Sequence, residues 1–426
     1  MRARLSPLVW LVFVAIIALA SANTCGFINP VPFQSFRARN ARNVILLTDG
    51  TNFDDAVAVN YIVKHTGAKL IGIYTQGNAW ANPASSIRNF YNNLYLYNIT
   101  NIPIWAGAYY ALQDERDAVA SGMPAAVVGK YRSFVPLGST GIAYADAMYG
   151  QAPFLPQGPN VYDLVNTNDE DFESLSAMLD AIDALPARQK VTIISLGTLT
   201  SIAKLFNERL DRRTRSLIRR IENVVQMGGA VNTTGNIFTT YQPATETQRN
   251  NDAEFNVIND PHAAQWAFGN LSALGVPITL VPLDATNDVP LQESLFESLA
   301  GNPATPEAQL VGRLMIVQRA TWWTTDYFGT AFLWDPTAAI VAMKPELITR
   351  ARQVKLRVEI NQDAFGPNQG ATRICSPQEA SIRGLCADVN VVFDVNANGV
   401  TNELINTLQS PINSARRPLF CPALAA

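Results

Sequence analysis

Short runs rich in Val, Ile and Leu recur along this chain, separated by stretches whose apolar positions return every three or four residues. Val44–Leu47, Leu70–Tyr74, Val191–Leu196, Val224–Met227 and Ile278–Leu283 are nearly continuous apolar segments. Such runs predict strands buried on both faces. Between several of them, Asp54–His65, Leu175–Leu185, Leu199–Leu210 and Pro261–Phe268 carry the helical period. This alternation predicts βαβ units, hence an α/β fold with an open, largely parallel central sheet flanked by helices. Val354–Ile360 and Val389–Val395 add later strands, and Thr401–Leu408 a last helix.

No repeat and no Pro/Ser-rich linker divides the chain. Candidate site residues run from position 49 to position 335, which one domain explains better than several. We expect a single domain over residues 23–426, with a core of about 43–345 and C-terminal additions over 346–426. The Gly-, Ala- and Tyr-rich stretch from Ala108 to Asn160 has weak periodicity and is expected to be a surface excursion or lid.

The N-terminus changes the compartment. Arg2 and Arg4 precede an apolar stretch from Leu8 to Ala20, and Ala20-Ser21-Ala22 offers a small-x-small cleavage site. Thirteen apolar residues fall short of the roughly 20 that span a bilayer. Residues 1–22 are therefore expected to be a signal peptide cleaved after Ala22, giving a secreted protein with no membrane attachment. Cys25, Cys375, Cys386 and Cys421 suit an oxidising compartment and allow three connectivities. The short 375–386 loop and the terminal positions of the other two favour the pairs 375–386 and 25–421. Asn98, Asn232 and Asn270 open glycosylation sequons.

Charge and histidine content narrow the chemistry. A net charge of −3 with 32 Lys and Arg gives no footprint for nucleic acid. His65 and His262 are the only histidines, too few for a multi-histidine zinc site. One ends a predicted helix and the other opens one. Carboxylates and amides remain to carry the reaction.

They gather where the strands end. Val44–Leu47 runs into Thr48-Asp49-Gly50-Thr51-Asn52-Phe53-Asp54-Asp55, three acids between a strand and a helix. Ligands of open α/β sheets sit at such strand ends, and crowded acids repel unless a cation or a hydroxyl-rich molecule lies between them. Ser195-Leu196-Gly197-Thr198-Leu199-Thr200 turns a strand into a helix and offers a backbone carbonyl. Met227-Gly228-Gly229-Ala230, Asn236, Ala253-Glu254-Phe255-Asn256, Asp260-Pro261 and Trp334-Asp335 repeat the pattern. Singly, each has a plainer role as a turn, an N-cap or a core aromatic.

Taken together, these segments and Leu283-Asp284-Ala285-Thr286-Asn287 resemble the nucleoside hydrolases, the inosine–uridine-preferring type and its relatives. The resemblance covers roughly Val44 to Ile340 and implies that family's fold, with a calcium ion at the pocket floor. Position by position, it makes Asp49, Asp55 and Asp335 carboxylate ligands and Leu196 a carbonyl ligand. Asp54, Asn78, Asn236, Glu254 and Asn256 become ribose-binding residues, and Asp49 the base that deprotonates the attacking water. The implied reaction cleaves the N-glycosidic bond of a small nucleoside to base and ribose, in a protein that can form homo-oligomers.

Trp334 stands where inosine–uridine-preferring members carry a histidine, which resembles the purine-preferring subgroup and its stacked base. Trp80, Trp105 and Tyr131 are candidates for the opposing ring. Two spacings depart from the family: four residues separate Asp49 from Asp54 rather than three, and Leu70–Asn78 is one residue short. Two other readings stay open, a hydrolase of another N-ribosyl compound such as nicotinamide riboside and an inactive binding protein on the same scaffold.

Overall fold

The computed structural model describes residues 40–49, 53–76, 83–97, 99, 101–108, 111, 170–208, 211–237, 250–321, 326–361 and 368–411. Nine strands form one sheet: β1 (Arg42–Thr48), β2 (Ala68–Thr75), β3 (Ile104–Ala106), β4 (Val191–Ser195), β5 (Ile221–Met227), β6 (Ile278–Val281), β7 (Ile348–Val358), β8 (Thr372–Ile374) and β9 (Ala387–Val395). Their order is β3-β2-β1-β4-β5-β6-β9-β7-β8. Neighbours from β3 through to β9 are parallel. Only β7 runs against its neighbours β9 and β8. The expected largely parallel sheet is what forms.

β1 shows why its sequence lacks a polar alternation. Val44 and Leu46 enter one buried cluster and Ile45 and Leu47 the other, so both faces of the strand are covered. On the first face lie α1 (Phe53–Lys64), α2 (Pro83–Leu96), α7 (Pro306–Thr321), α8 (Trp334–Met343) and α9 (Ala397–Gln409). On the second lie α3 (Glu170–Asp183), α4 (Thr200–Glu208) and α6 (Pro261–Ala273), with the single turn α5 (Phe255–Ile258) preceding α6. A buried ion pair, Lys64 Nζ to Glu307 Oε2 at 2.9 Å, fixes the end of α1 to α7.

The topology creates one crevice that matters. From β1 the chain moves outward to β2 and β3, then returns to add β4 on the other side of β1. Connections leave β1 and β4 in opposite directions, which opens a cleft beyond their C-terminal ends. Asp49 follows β1 there, and Leu196 follows β4.

Some elements differ from expectation. Strand β6 stops at Val281 rather than Leu283, because Pro282 removes a ladder donor and Leu283–Thr286 folds into a short helix. Strand β7 begins at Ile348, through an exposed, mixed stretch that hid its first half. The C-terminal additions are not peripheral: β9 pairs directly with β6 inside the sheet. Cys375 and Cys386 form the expected bridge, with an S–S distance of 2.01 Å. The expected Cys25–Cys421 pair, the signal segment, Asn78, Asn98, Trp80, Tyr131 and nearly all of the Ala108–Asn160 stretch lie outside the described residues. Among the described residues, no helix is long and apolar enough to cross a membrane.

Candidate active site

Two helices deliver most of the acid. α1 and α8 pack side by side, and each carries its carboxylates in its first turn: Asp54 and Asp55 in α1, Asp335 in α8. First-turn amides favour anions, which explains why acids are tolerated there. Carboxylate oxygens of Asp54, Asp55 and Asp335 lie within 4.8 Å of one another, all buried. The tight group thus holds the expected Asp55 and Asp335 but has Asp54 as its third member, where the sequence pointed to Asp49.

Asp49 stands beside this group. It is 2% exposed, and its Oδ2 is buried with no hydrogen-bond partner. Gly197 makes this placement possible, since a Cβ at that position would lie 2.4 Å from Asp49 Cβ. Thr48 Oγ1 donates to Asp55 Oδ1 and steadies the second acid.

Glu254 completes the acidic face from a third direction. It caps α5, accepting from Asn256 N at 2.9 Å and Val257 N at 3.3 Å, and also from Gly229 N at 2.8 Å. Burial pushes its carboxyl up to about 7, against the pull of those three amides. Asp54 is raised to about 6, again chiefly by burial. Asp49, Asp55 and Asp335 are held well above the usual carboxylate range by burial and by mutual repulsion among the acids. In all five, burial is the largest cause and outweighs whatever hydrogen bonds favour the ionised form. Such a set is unstable as five anions without a compensating positive charge.

The amides occupy supporting positions. Asn256 Nδ2 donates to the carbonyls of Leu196 at 3.1 Å and Met227 at 3.2 Å, so it ties the ends of β4 and β5 together. Leu196 keeps a second lone pair on that oxygen. Asn236 is half-buried, and its Oδ1 accepts from Phe255 N at 2.9 Å, aligning the segment that bears Glu254.

Trp334 is half-buried against the first core cluster, with its ring 5.7 Å from that of Phe332. Its Nε1 donates to Asn287 Oδ1 at 3.1 Å. Trp105 cannot be the opposing ring. It packs beside Tyr74 on the other face of the sheet, over Gly72, where a Cβ would lie 2.0 Å from its Cζ3.

Sequence reasoning missed three supporting residues. Gln76, fully buried after β2, donates to Thr198 O at 2.6 Å and accepts from Ser201 N at 3.1 Å. Gln226 in β5 donates to Gly197 O at 2.7 Å. Both glutamines grip the turn that follows β4. A lone Gln inside Val224-Val225-Gln226-Met227 was a legible signal, since a buried amide needs partners. Thr372 gave no such signal, because its partner lies 142 residues away.

The sequence profile of the inosine-uridine preferring nucleoside hydrolase family matches residues 44–402. This chain belongs to that family.

Its relatives differ in the base they are named for. Nucleoside hydrolase 3 of Arabidopsis thaliana is 29% identical over 336 residues, covering 70% of this chain, which in turn spans only 35% of that protein's length. The pyrimidine-specific ribonucleoside hydrolase RihA of Shewanella oneidensis is 27% identical over 368 residues, 85% of this chain and 95% of its own. Among solved structures, the purine-preferring ribonucleoside hydrolase from Gardnerella vaginalis superposes with a TM-score of 0.62 at 19% identity, over 86% of this chain and 98% of that one. At that identity the superposition speaks for the nucleoside hydrolase fold alone.

Of the described residues that the sequence assigned to the site of this nucleoside hydrolase, Asp49 and Leu196 follow β1 and β4, Asp54 and Asp55 open α1, Glu254 and Asn256 lie at the start of α5, Trp334 and Asp335 open α8, and Asn236 lies in the segment after β5. The sheet and its switch point account for their meeting.

Proposed function

We propose that the chain is a secreted, calcium-dependent hydrolase of the N-glycosidic bond of purine ribonucleosides, releasing free base and ribose. One observation carries this reading: buried oxygens from Asp54, Asp55 and Asp335 converge, with the unpartnered Asp49 Oδ2 beside them. An all-oxygen, carboxylate-rich set suits a hard cation such as Ca²⁺ better than a nitrogen- or sulfur-seeking metal. Asp49, Asp55 and Asp335, with Asp54 close by and the Leu196 carbonyl, are the residues that would hold it. When bound, the ion supplies Lewis acidity toward oxygen.

The remaining work falls to the chain itself. Asp49 takes the proton from the water that attacks the sugar carbon. Asp54, Asn78, Asn236, Glu254 and Asn256 hold the ribose hydroxyls, and Asp54 offsets part of the positive charge that develops on the ring. Neither histidine stands in the acidic group to protonate the leaving base. His65 follows α1, 3.6 Å from Glu403, and His262 lies in the first turn of α6. Trp334 instead offers a ring against which a purine stacks while its own nitrogen takes up a proton. Secretion is supported by the basic and apolar N-terminal segment and by the Cys375–Cys386 bridge.

The likeness to the pyrimidine-specific RihA favours a second reading, in which pyrimidine nucleosides are the substrates. Base release from inosine, adenosine, guanosine, uridine, cytidine and nicotinamide riboside, in excess calcium and in chelator, separates the readings. Purine release that requires calcium is the expected result. Faster uridine or cytidine cleavage favours the second reading, and no release from any compound overturns both. Asp49→Asn should reduce turnover by about 100- to 10,000-fold, the usual contribution of a general base, while nucleoside binding persists.

A further inference from the structure

The C-terminal hairpin reaches back onto the pocket through one side chain. Thr372, in β8, is fully buried. Its Oγ1 accepts from Ala230 N at 3.0 Å and donates to Ala230 O at 2.8 Å, satisfying both polar groups of one residue. Ala230 ends the Met227–Ala230 turn. The preceding Gly229 has a positive φ of 83°, and a Cβ there would meet Thr372 Cγ2 and Oγ1 at 3.0 Å. Gly229 N donates to Glu254 Oε2 at 2.8 Å. A short relay therefore leads from Thr372 through Ala230 and Gly229 to the Glu254 carboxylate.

The same few residues hold the second pocket segment. Asn250 Nδ2 donates to Gln369 O at 2.7 Å, and Arg373 Nη2 meets Asp252 Oδ2 at 2.9 Å. Ala253 pairs with Ala371 as an isolated bridge directly before Glu254. Residues 369–373 thus grip both sides of that acid. Two residues further on, Cys375 is tied to Cys386, and Cys375 N donates to Lys355 O at 2.8 Å. The bridge closes the loop that leads from β8 back into the sheet at β9, so it restrains the strand that carries Thr372.

We propose that Thr372, on the strand that leads into this disulfide-closed loop, is a positioning residue for substrate binding that sets the Gly229 turn and with it the orientation of Glu254. The inference rests on the hydrolase reading above for Glu254's role as a sugar ligand. Thr372 touches no reacting atom. Its loss should weaken binding and leave the chemical step largely intact.

Three variants test it: Thr372→Val keeps the shape without the hydroxyl, Thr372→Ser keeps the hydroxyl, and Cys375→Ser/Cys386→Ser removes the bridge. Steady-state kinetics with inosine are paired with calorimetric titration of a C-nucleoside, whose carbon–carbon glycosidic bond resists hydrolysis. Thr372→Val should raise KM and the C-nucleoside Kd about tenfold, corresponding to about 1.4 kcal/mol, with kcat within about twofold of wild type. Thr372→Ser should restore both constants. The double serine variant should shift both in the same direction as Thr372→Val, and it decides the matter if Thr372→Val fails to fold. An unchanged KM and Kd in Thr372→Val, a loss confined to kcat, or equal damage in Thr372→Ser overturns the proposal, as does a double serine variant that binds like wild type. A wild type that binds the C-nucleoside but cleaves no nucleoside overturns the hydrolase reading alone, and the Kd values still judge Thr372. A wild type that binds neither compound overturns both.

Discussion

Asn256 Nδ2 donates to the Leu196 carbonyl at 3.1 Å, joining a residue expected to hold the sugar to the backbone oxygen expected to face the metal. A second bond from the same nitrogen to Met227 O, at 3.2 Å, locks the amide between β4 and β5. The positions proposed for sugar and ion therefore share a fixed point.

Replacing Asn256 with Leu should consequently weaken calcium binding as well as turnover. Groups that orient a metal's ligands are worth about 10- to 100-fold in affinity, and a loss in that range is expected. Calorimetric titration of Ca²⁺ into metal-free protein measures it. An affinity equal to wild type would show that the amide does not orient the carbonyl.

The acids predict how pH and metal act together on stability. Asp54 moves from 3.8 to about 6 and Glu254 from 4.5 to about 7, both upward and both mainly through burial. A raised folded-state value means the fold is favoured by protonation. For the metal-free protein that stability is complete below pH 3.8 and is lost as pH rises through about 6 and 7. On the proposed reading calcium would replace the lost protons as the neutralising charge, so its stabilising effect should grow with pH. Melting temperatures in chelator and in excess calcium should lie close at pH 5 and far apart at pH 8. Equal separation at both would contradict the assignment.

Trp334 should control the base rather than the ion. Truncation to Ala removes the ring and its bond to Asn287. Aromatic stacking on a base is worth about 1–3 kcal/mol, so purine kcat/KM should fall about 5- to 150-fold, with a smaller effect on uridine. Calcium content, by atomic emission, should remain that of wild type. Loss of the ion in this variant would mean that the ring serves the metal site.

The Lys64–Glu307 pair anchors the far end of the helix that begins with Asp54 and Asp55. Both side chains are nearly inaccessible, at 2% and 6%. Lys64→Met leaves a buried carboxylate unpaired and should cost about 3–5 kcal/mol of stability. Lys64→Met/Glu307→Leu should recover most of that loss. Urea unfolding of the two variants measures the difference, and a double variant as unstable as the single one would refute the pairing argument.

The sequence was most legible where burial was complete. β1, β4 and β5 announced themselves because both faces are covered, leaving nearly continuous apolar runs that end near Asp49, Leu196 and Gly228. β3 has only three residues, Ile104–Ala106, too few to show a period. α2 buries Ser86, Asn89 and Asn93 on its inner face, which masks the apolar stripe that marks a helix. At the site, the resemblance placed Asp55 and Asp335 together but named Asp49 as their third partner, where the tight group has Asp54. Gln76 and Thr372 could not be read, because their roles rest on backbone partners brought close only by the sheet order.

The most direct test is the turnover of inosine by protein stripped of metal and then titrated with calcium, followed as ribose release. Activity should be absent without the ion, rise in proportion to calcium up to one equivalent per chain, and fail to return in Asp335→Asn. Full turnover in the stripped protein, or an Asp335→Asn variant that recovers like wild type, would contradict the acidic cluster as the seat of the reaction.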